Sequence, residues 1–167
     1  YNVTQFYYGA IDVVDIDNGD DIFGGTQDNG TPISINSSAG ANSFEDPFGG
    51  DGGFTEIDDS GQYMIQSFTF NTHRWINYPL LNQAQTISTP QDDNDNSLGS
   101  FINTAVLDKN LDVFYTNASQ GNTFQIERVS DFLPGEERQN AFLTNSLLDA
   151  EPTAFQVSPF TTTSTKL

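Results

Sequence analysis

Carboxylates dominate the side chains of this sequence that could do chemistry. The stretch Asp15-Ile16-Asp17-Asn18-Gly19-Asp20-Asp21 sets Asp15, Asp17, Asp20 and Asp21 at the oxygen-rich spacing that hard cations prefer, so Ca2+ is the cofactor it suits. It departs from the helix-flanked calcium loop, because Gly19 comes one position early and no Glu closes the site. A solvated acidic turn is the competing reading, and Asp92-Asp93-Asn94-Asp95-Asn96 is a weaker run of the same kind. Asp28, Asn29 and Asp51 sit among glycines, where they either contact a sugar or cation or cap their own turns through side-chain to backbone bonds. His73-Arg74-Trp75 could form a sugar-stacking patch; the plainer reading makes His73 and Arg74 turn residues and Trp75 a packing anchor. Glycoside hydrolysis needs two carboxyl groups about 5 to 9 Å apart. Among 23 acids such a pair arises by chance, and no local motif singles one out. The single histidine excludes multi-histidine metal sites, and the absence of cysteine excludes thiolate ligands and disulfides. Neither a serine nucleophile elbow nor a phosphate loop is present.

Net charge narrows the partners. With 23 acidic against 5 basic residues the chain carries −18, which opposes nucleic acid and anionic lipid surfaces. An acidic surface suits cation binding, salty surroundings or plain solubility. No apolar run approaches the roughly 18 residues that span a membrane, so no membrane insertion is expected. The chain opens at Tyr1 inside an apparent strand, which reads as a processed chain or a piece of a longer one.

The elements that must position these groups read as strands. The 167 residues suffice for one domain, and 14 Phe and 6 Tyr favour β-structure. Two glycine-rich stretches, Phe23 to Thr31 and Phe48 to Phe54, read as tight corners at which backbones turn with positive φ or approach closely. Around them the sequence predicts strands at 5–14, 22–26, 31–35, 53–57, 62–67, 74–78, 101–107, 111–117 and 123–129, with turns of Asp, Asn, Ser and Gly between. Residues 83–100 read as a long, mobile polar loop with nothing to build a core. Residues 141–150 suit either a helical turn or an edge strand, and the pattern of residues 152–159 reads as the opening of another strand cycle.

A repeat runs through this pattern. Asp21-Ile22-Phe23, Gln62-Tyr63-Met64 and Asp112-Val113-Phe114 align as second strands, and Ile57, Leu107 and Val157 as first strands. A β-only unit of roughly 40 to 50 residues is the size of a propeller blade. The expected fold is therefore all-β: four-stranded antiparallel blades forming a partial ring of about three to four. The approximate blades are 5–50, 51–100 and 101–150, with another starting at 151–167. A generic β-sandwich with evenly spaced hairpins is the alternative.

The turn Thr26-Gln27-Asp28-Asn29-Gly30-Thr31-Pro32-Ile33 and the turn Asn117-Ala118-Ser119-Gln120-Gly121-Asn122-Thr123-Phe124 resemble the Asp-box, Ser-x-Asp-x-Gly-x-Thr-Trp. Phe70-Asn71-Thr72-His73-Arg74-Trp75 keeps only the final aromatic. With Gly-Gly-Asp-Gly-Gly at 49–53, the chain resembles secreted bacterial propellers of the sialidase, sortilin and xyloglucanase-like group, which carry such BNR repeats. The resemblance implies that Asp28 accepts backbone hydrogen bonds in its turn, with Ser119 a poor substitute, and that Trp75 and Phe124 pack between blades. It further implies an extracellular or cell-surface place, and completion of the ring by another chain or the rest of a parent protein. The function expected is a non-catalytic binding or surface-assembly segment, with carbohydrate or Ca2+ as ligand. The alternatives are part of a xyloglucanase-like glycoside hydrolase, or a purely structural subunit completed by another chain.

Overall fold

A computed structural model of the chain describes residues 4–12, 14, 19–40 and 44–167. Among them the fold is all-β, with helix confined to a single 3-10 turn at Ser37–Ala39. The strands are β1 (Phe6–Ile11), β2 (Ile22–Thr26), β3 (Ile33–Ser34), β4 (Thr55–Ile57), β5 (Tyr63–Ser67), β6 (His73–Asn77), β7 (Ala84–Thr86), β8 (Ala105–Asp108), β9 (Val113–Asn117), β10 (Ile126–Ser130) and β11 (Gln139–Leu143). They form three antiparallel sheets, ordered β1-β2-β3, β4-β5-β6-β7 and β8-β9-β10-β11. Spatial order follows chain order in every sheet, because each connection is a hairpin that returns the chain beside the strand it has just left.

The chain divides into two compact units, Tyr1–Thr69 with His73–Thr86 and Phe70–Thr72 with Ile87–Leu167. In the first, Ala10, Phe23, Ile33, Ile57, Met64, Ile76 and Tyr78 pack into one core. Phe23 meets the Tyr78 ring edge-on at 5.5 Å, and Trp75 stacks on Tyr63 at 6.4 Å. The short β3 has Glu45 on its free side, with Ile33 N donating to Glu45 O at 2.7 Å and Glu45 N to Ile33 O at 2.8 Å. A single residue thus stands where the other two sheets have a fourth strand. In the second unit Leu107, Val113, Phe114, Tyr115 and Val129 are buried. β9 is buried along its whole length, as expected of an inner strand rich in β-branched and aromatic residues.

Two expectations are corrected. Residues 83–100 are not a coreless loop: they begin with β7, bury Ile87 and Leu98, and close a bridge between Gln91 and Ser97. Two isolated apolar residues anchor the segment, too sparse to register as a periodic pattern. Residues 152–159 form no strand. The tail is instead fastened as a loop to the β8–β9 turn: Asn110 Nδ2 donates to Pro159 O at 3.2 Å, and Thr161 and Thr165 hydroxyls donate to Asp108 at 2.9 and 2.7 Å. Of the two options for 141–150, the edge strand is the one formed, as β11.

Candidate functional site

The two glycine stretches are zipped together. Gly30 N donates to Gly50 O at 2.6 Å, Gly52 N donates to Thr26 O at 2.7 Å, and Gly30 and Asp51 form a parallel bridge. Glycine is required here for two separate reasons. Gly30 and Gly50 have φ of 62° and 74°, a region that side chains disfavour. At Gly25 and Gly52 the constraint is space: a Cβ would lie 1.7 Å from Gly53 O and 2.0 Å from Gly30 O. This clamp brings Asp28 and Asp51 together, with Asp28 N donating to Asp51 Oδ1 at 2.9 Å. Asn29 turns back on Gln27 O at 3.0 Å. The Asp51 carboxylate therefore caps the turn in which Asp28 was expected to be the acceptor. The exposed Asp28 carboxylate accepts no hydrogen bond from the described residues, and Asp28 itself sits at φ 58°. In the corresponding turn of the second unit, Ser119 Oγ accepts Gln125 N at 3.2 Å, and Asn117 Oδ1 accepts Ser119 N at 2.9 Å.

His73, Arg74 and Trp75 do not share a face. The two-residue period of β6 buries His73 and Trp75 and leaves Arg74 half-buried between them. His73 is fully buried, its Nδ1 2.5 Å from Ser67 Oγ, and burial lowers its pKa to about 3. Trp75 Nε1 is buried without a partner among the described residues.

Of the acidic turn, Asp15 and Asp17 lie outside the described residues. Asp20 supplies its carbonyl to Ser37 N at 2.8 Å. Asp21 is buried: its Oδ1 accepts Asn36 N at 2.6 Å and its Oδ2 meets the Tyr78 hydroxyl, which also donates to Asp12 Oδ2 at 2.9 Å. Burial, then the hydrogen bond with Asp21, pushes the Tyr78 phenol far above its usual range. Among the described residues no group of three or more His, Asp or Glu side chains is disposed to hold a metal ion.

Sequence reasoning missed a recurring device. Asp12 and Asp58 directly follow the first strands of their sheets, Asp108 is the last residue of its own, and all three are buried. Each carboxylate accepts the backbone N–H two residues on, from Val14 at 2.8 Å, Ser60 at 3.0 Å and Asn110 at 3.2 Å. Part of the signal lay in the sequence, where Asp58 and Asp108 directly follow the aligned first-strand residues Ile57 and Leu107. Also missed was Glu127, fully buried, whose carboxylate accepts from Asn71 Nδ2 at 2.6 Å, Thr89 Oγ1 at 2.7 Å and Asn140 Nδ2 at 2.7 Å. It holds residues 71, 89 and 140 to one sheet, and no local pattern announces so long-range a role. No protein-family model matches the chain, and no curated protein matches it significantly.

Proposed function

We propose that the chain is a non-catalytic binding or surface-assembly segment built of propeller-type blades of the Asp-box kind, acting outside the cell, with carbohydrate as its ligand class. The observation that carries the reading is the succession of antiparallel meanders, each opened by the same buried, Asp-capped hairpin. Repeated modules of this kind supply a rigid frame whose loops present contacts. The buried carboxylates Asp58, Asp108 and Glu127 are occupied with backbone and hydroxyl donors. The lone imidazole, neutral and buried near pH 7, is unsuited to moving protons for a substrate. Both features support a scaffold over a hydrolase.

The test is a panel of soluble oligosaccharides assayed in parallel for binding and for reducing-end release. Binding without release is the expected result. Release that Asp28→Asn or Asp51→Asn abolishes would replace this reading with a glycoside hydrolase. Ca2+ at Asp15, Asp17, Asp20 and Asp21 would tie down the β1–β2 hairpin; a lower Tm in chelator is then expected, and an unchanged Tm removes the cation. A second reading, a structural subunit completed by another chain, is favoured by β11. It is the free edge of its sheet, exposed along its length, with Phe142 and Leu143 uncovered. Such an edge accepts an added strand, and concentration-dependent self-association measured by light scattering is its signature.

A further inference from the structure

The second unit holds a polar cleft of about 420 Å3, within the size range of small-ligand sites. Its floor is the face of β9 and β10 on which Tyr115 and Arg128 are cross-strand partners. Arg128 is half-buried and makes a single hydrogen bond among the described residues, Nη1 donating to Ser130 Oγ at 2.9 Å. Ser130 Oγ in turn donates to Asp131 Oδ2 at 2.7 Å. This relay fixes one end of the guanidinium and leaves its other N–H groups unused, in a fork suited to paired oxygens. The Tyr115 hydroxyl makes no hydrogen bond to the described residues, although its ring is buried.

We propose that this cleft binds a neutral, polyhydroxylated sugar, with Arg128 donating to the oxygens of two adjacent hydroxyl groups and the flanking carboxylates accepting from the same hydroxyl groups. The charge balance selects that chemistry. Asp112, Asp131 and Glu136 line the cleft against the one guanidinium, so a phosphate or uronate would meet net repulsion in addition to the field of a −18 chain. A bare cation would have to displace or outweigh Arg128. A vicinal diol both accepts and donates at neighbouring oxygens, and so satisfies the fork and the carboxylates together. Thr163 and Ser164 add hydroxyls from the tail, which Thr165 fastens to Asp108. Asp112 and Asp131 are both held at positive φ, 50° and 55°, at the same end of the β9–β10 pair. Left-handed non-glycine residues of this kind concentrate at binding sites.

The proposal rests on the carbohydrate-binding reading above and is tested so that the two can fail separately. The probes are hexasaccharides of β-1,4-glucan, β-1,3-glucan, mannan and xylan, with oligogalacturonate and inorganic phosphate as anionic comparators. Binding is followed by calorimetry, and by amide chemical-shift mapping of the whole chain. At least one neutral hexasaccharide is expected to bind and to shift the amides of residues 128–131 and 163–165. Binding weakens about tenfold or more in Arg128→Gln and several-fold in Tyr115→Phe, which keeps the ring that packs. Both variants are compared at matched folded fraction, checked by thermal melting. Neutral-sugar binding that survives Arg128→Gln, or that shifts amides elsewhere, overturns this cleft and leaves the carbohydrate reading standing. Preference for the anionic probes overturns the charge argument. No binding by any hexasaccharide overturns both.

Discussion

At the residue scale, burial converts ordinary side chains into fixed parts. His73 is the clearest case, since its imidazole gives up solvation and keeps Ser67 as a partner. Its pKa falls from 6.5 to about 3 on folding. Between those values the unfolded chain holds a proton that the native chain does not, so stability rises with pH across this window. The contribution is complete above about pH 6.5 and is lost progressively as pH falls toward 3, on the order of 5 kcal/mol in total. Imidazole proton shifts in a pH titration are expected to stay at the neutral position down to pH 4; a midpoint near 6.5 would contradict the burial. The sequence placed His73 in a turn beside Trp75 and could not say that the two face inward. Facing depends on register, and a one-residue slip reverses every side chain.

At the element scale, the glycines decide where backbones touch. Gly52→Ala puts a methyl 2.0 Å from Gly30 O and 2.9 Å from Thr26 N, where only a backbone shift can make room. Gly49 differs: it has φ of 57° with nothing within 4 Å of the added carbon. Gly49→Ala is therefore expected to cost about 1 kcal/mol in conformational strain. Gly52→Ala should cost about 3 kcal/mol, because overpacking and loss of the clamp add together. Urea midpoints order the two, and equal losses would mean that the clamp yields freely. That glycine-rich corners occur here was legible in the sequence, as was β2 to the residue. That the two corners pair with each other was not, since a parallel bridge between residues 30 and 51 has no local signature.

At the scale of the whole molecule, charge is the leading property. A chain at −18 repels itself when compact and relaxes when unfolded. Raising NaCl from about 10 mM to about 150 mM shortens the Debye length from roughly 30 Å to about 8 Å and screens much of that repulsion. Tm is expected to rise by several degrees over this range; a flat or falling Tm would mean that attractive pairs, not repulsion, dominate the native field. The same charge weakens any approach of anionic ligands to the Arg128 cleft, so salt should relieve the discrimination between neutral and uronic sugars.

Composition and strand patterning by themselves determined an all-β chain, the hairpin turns and most strand positions, because a period of two and the turn residues are local properties. They also put Ile57 and Leu107 at matching places in β4 and β8, where they pair with Met64 and Phe114. Val157, the third member of that alignment, lies in no strand, because the tail it belongs to is held by side chains to Asp108 and Asn110. Only the tertiary structure decided that outcome, along with the burial of Ile87 and Leu98, the Glu127 cluster and the facing of Arg128 into a cleft. Each depends on groups distant in sequence meeting in space, and such meetings are set by the summed packing of the fold and not by any neighbouring residue.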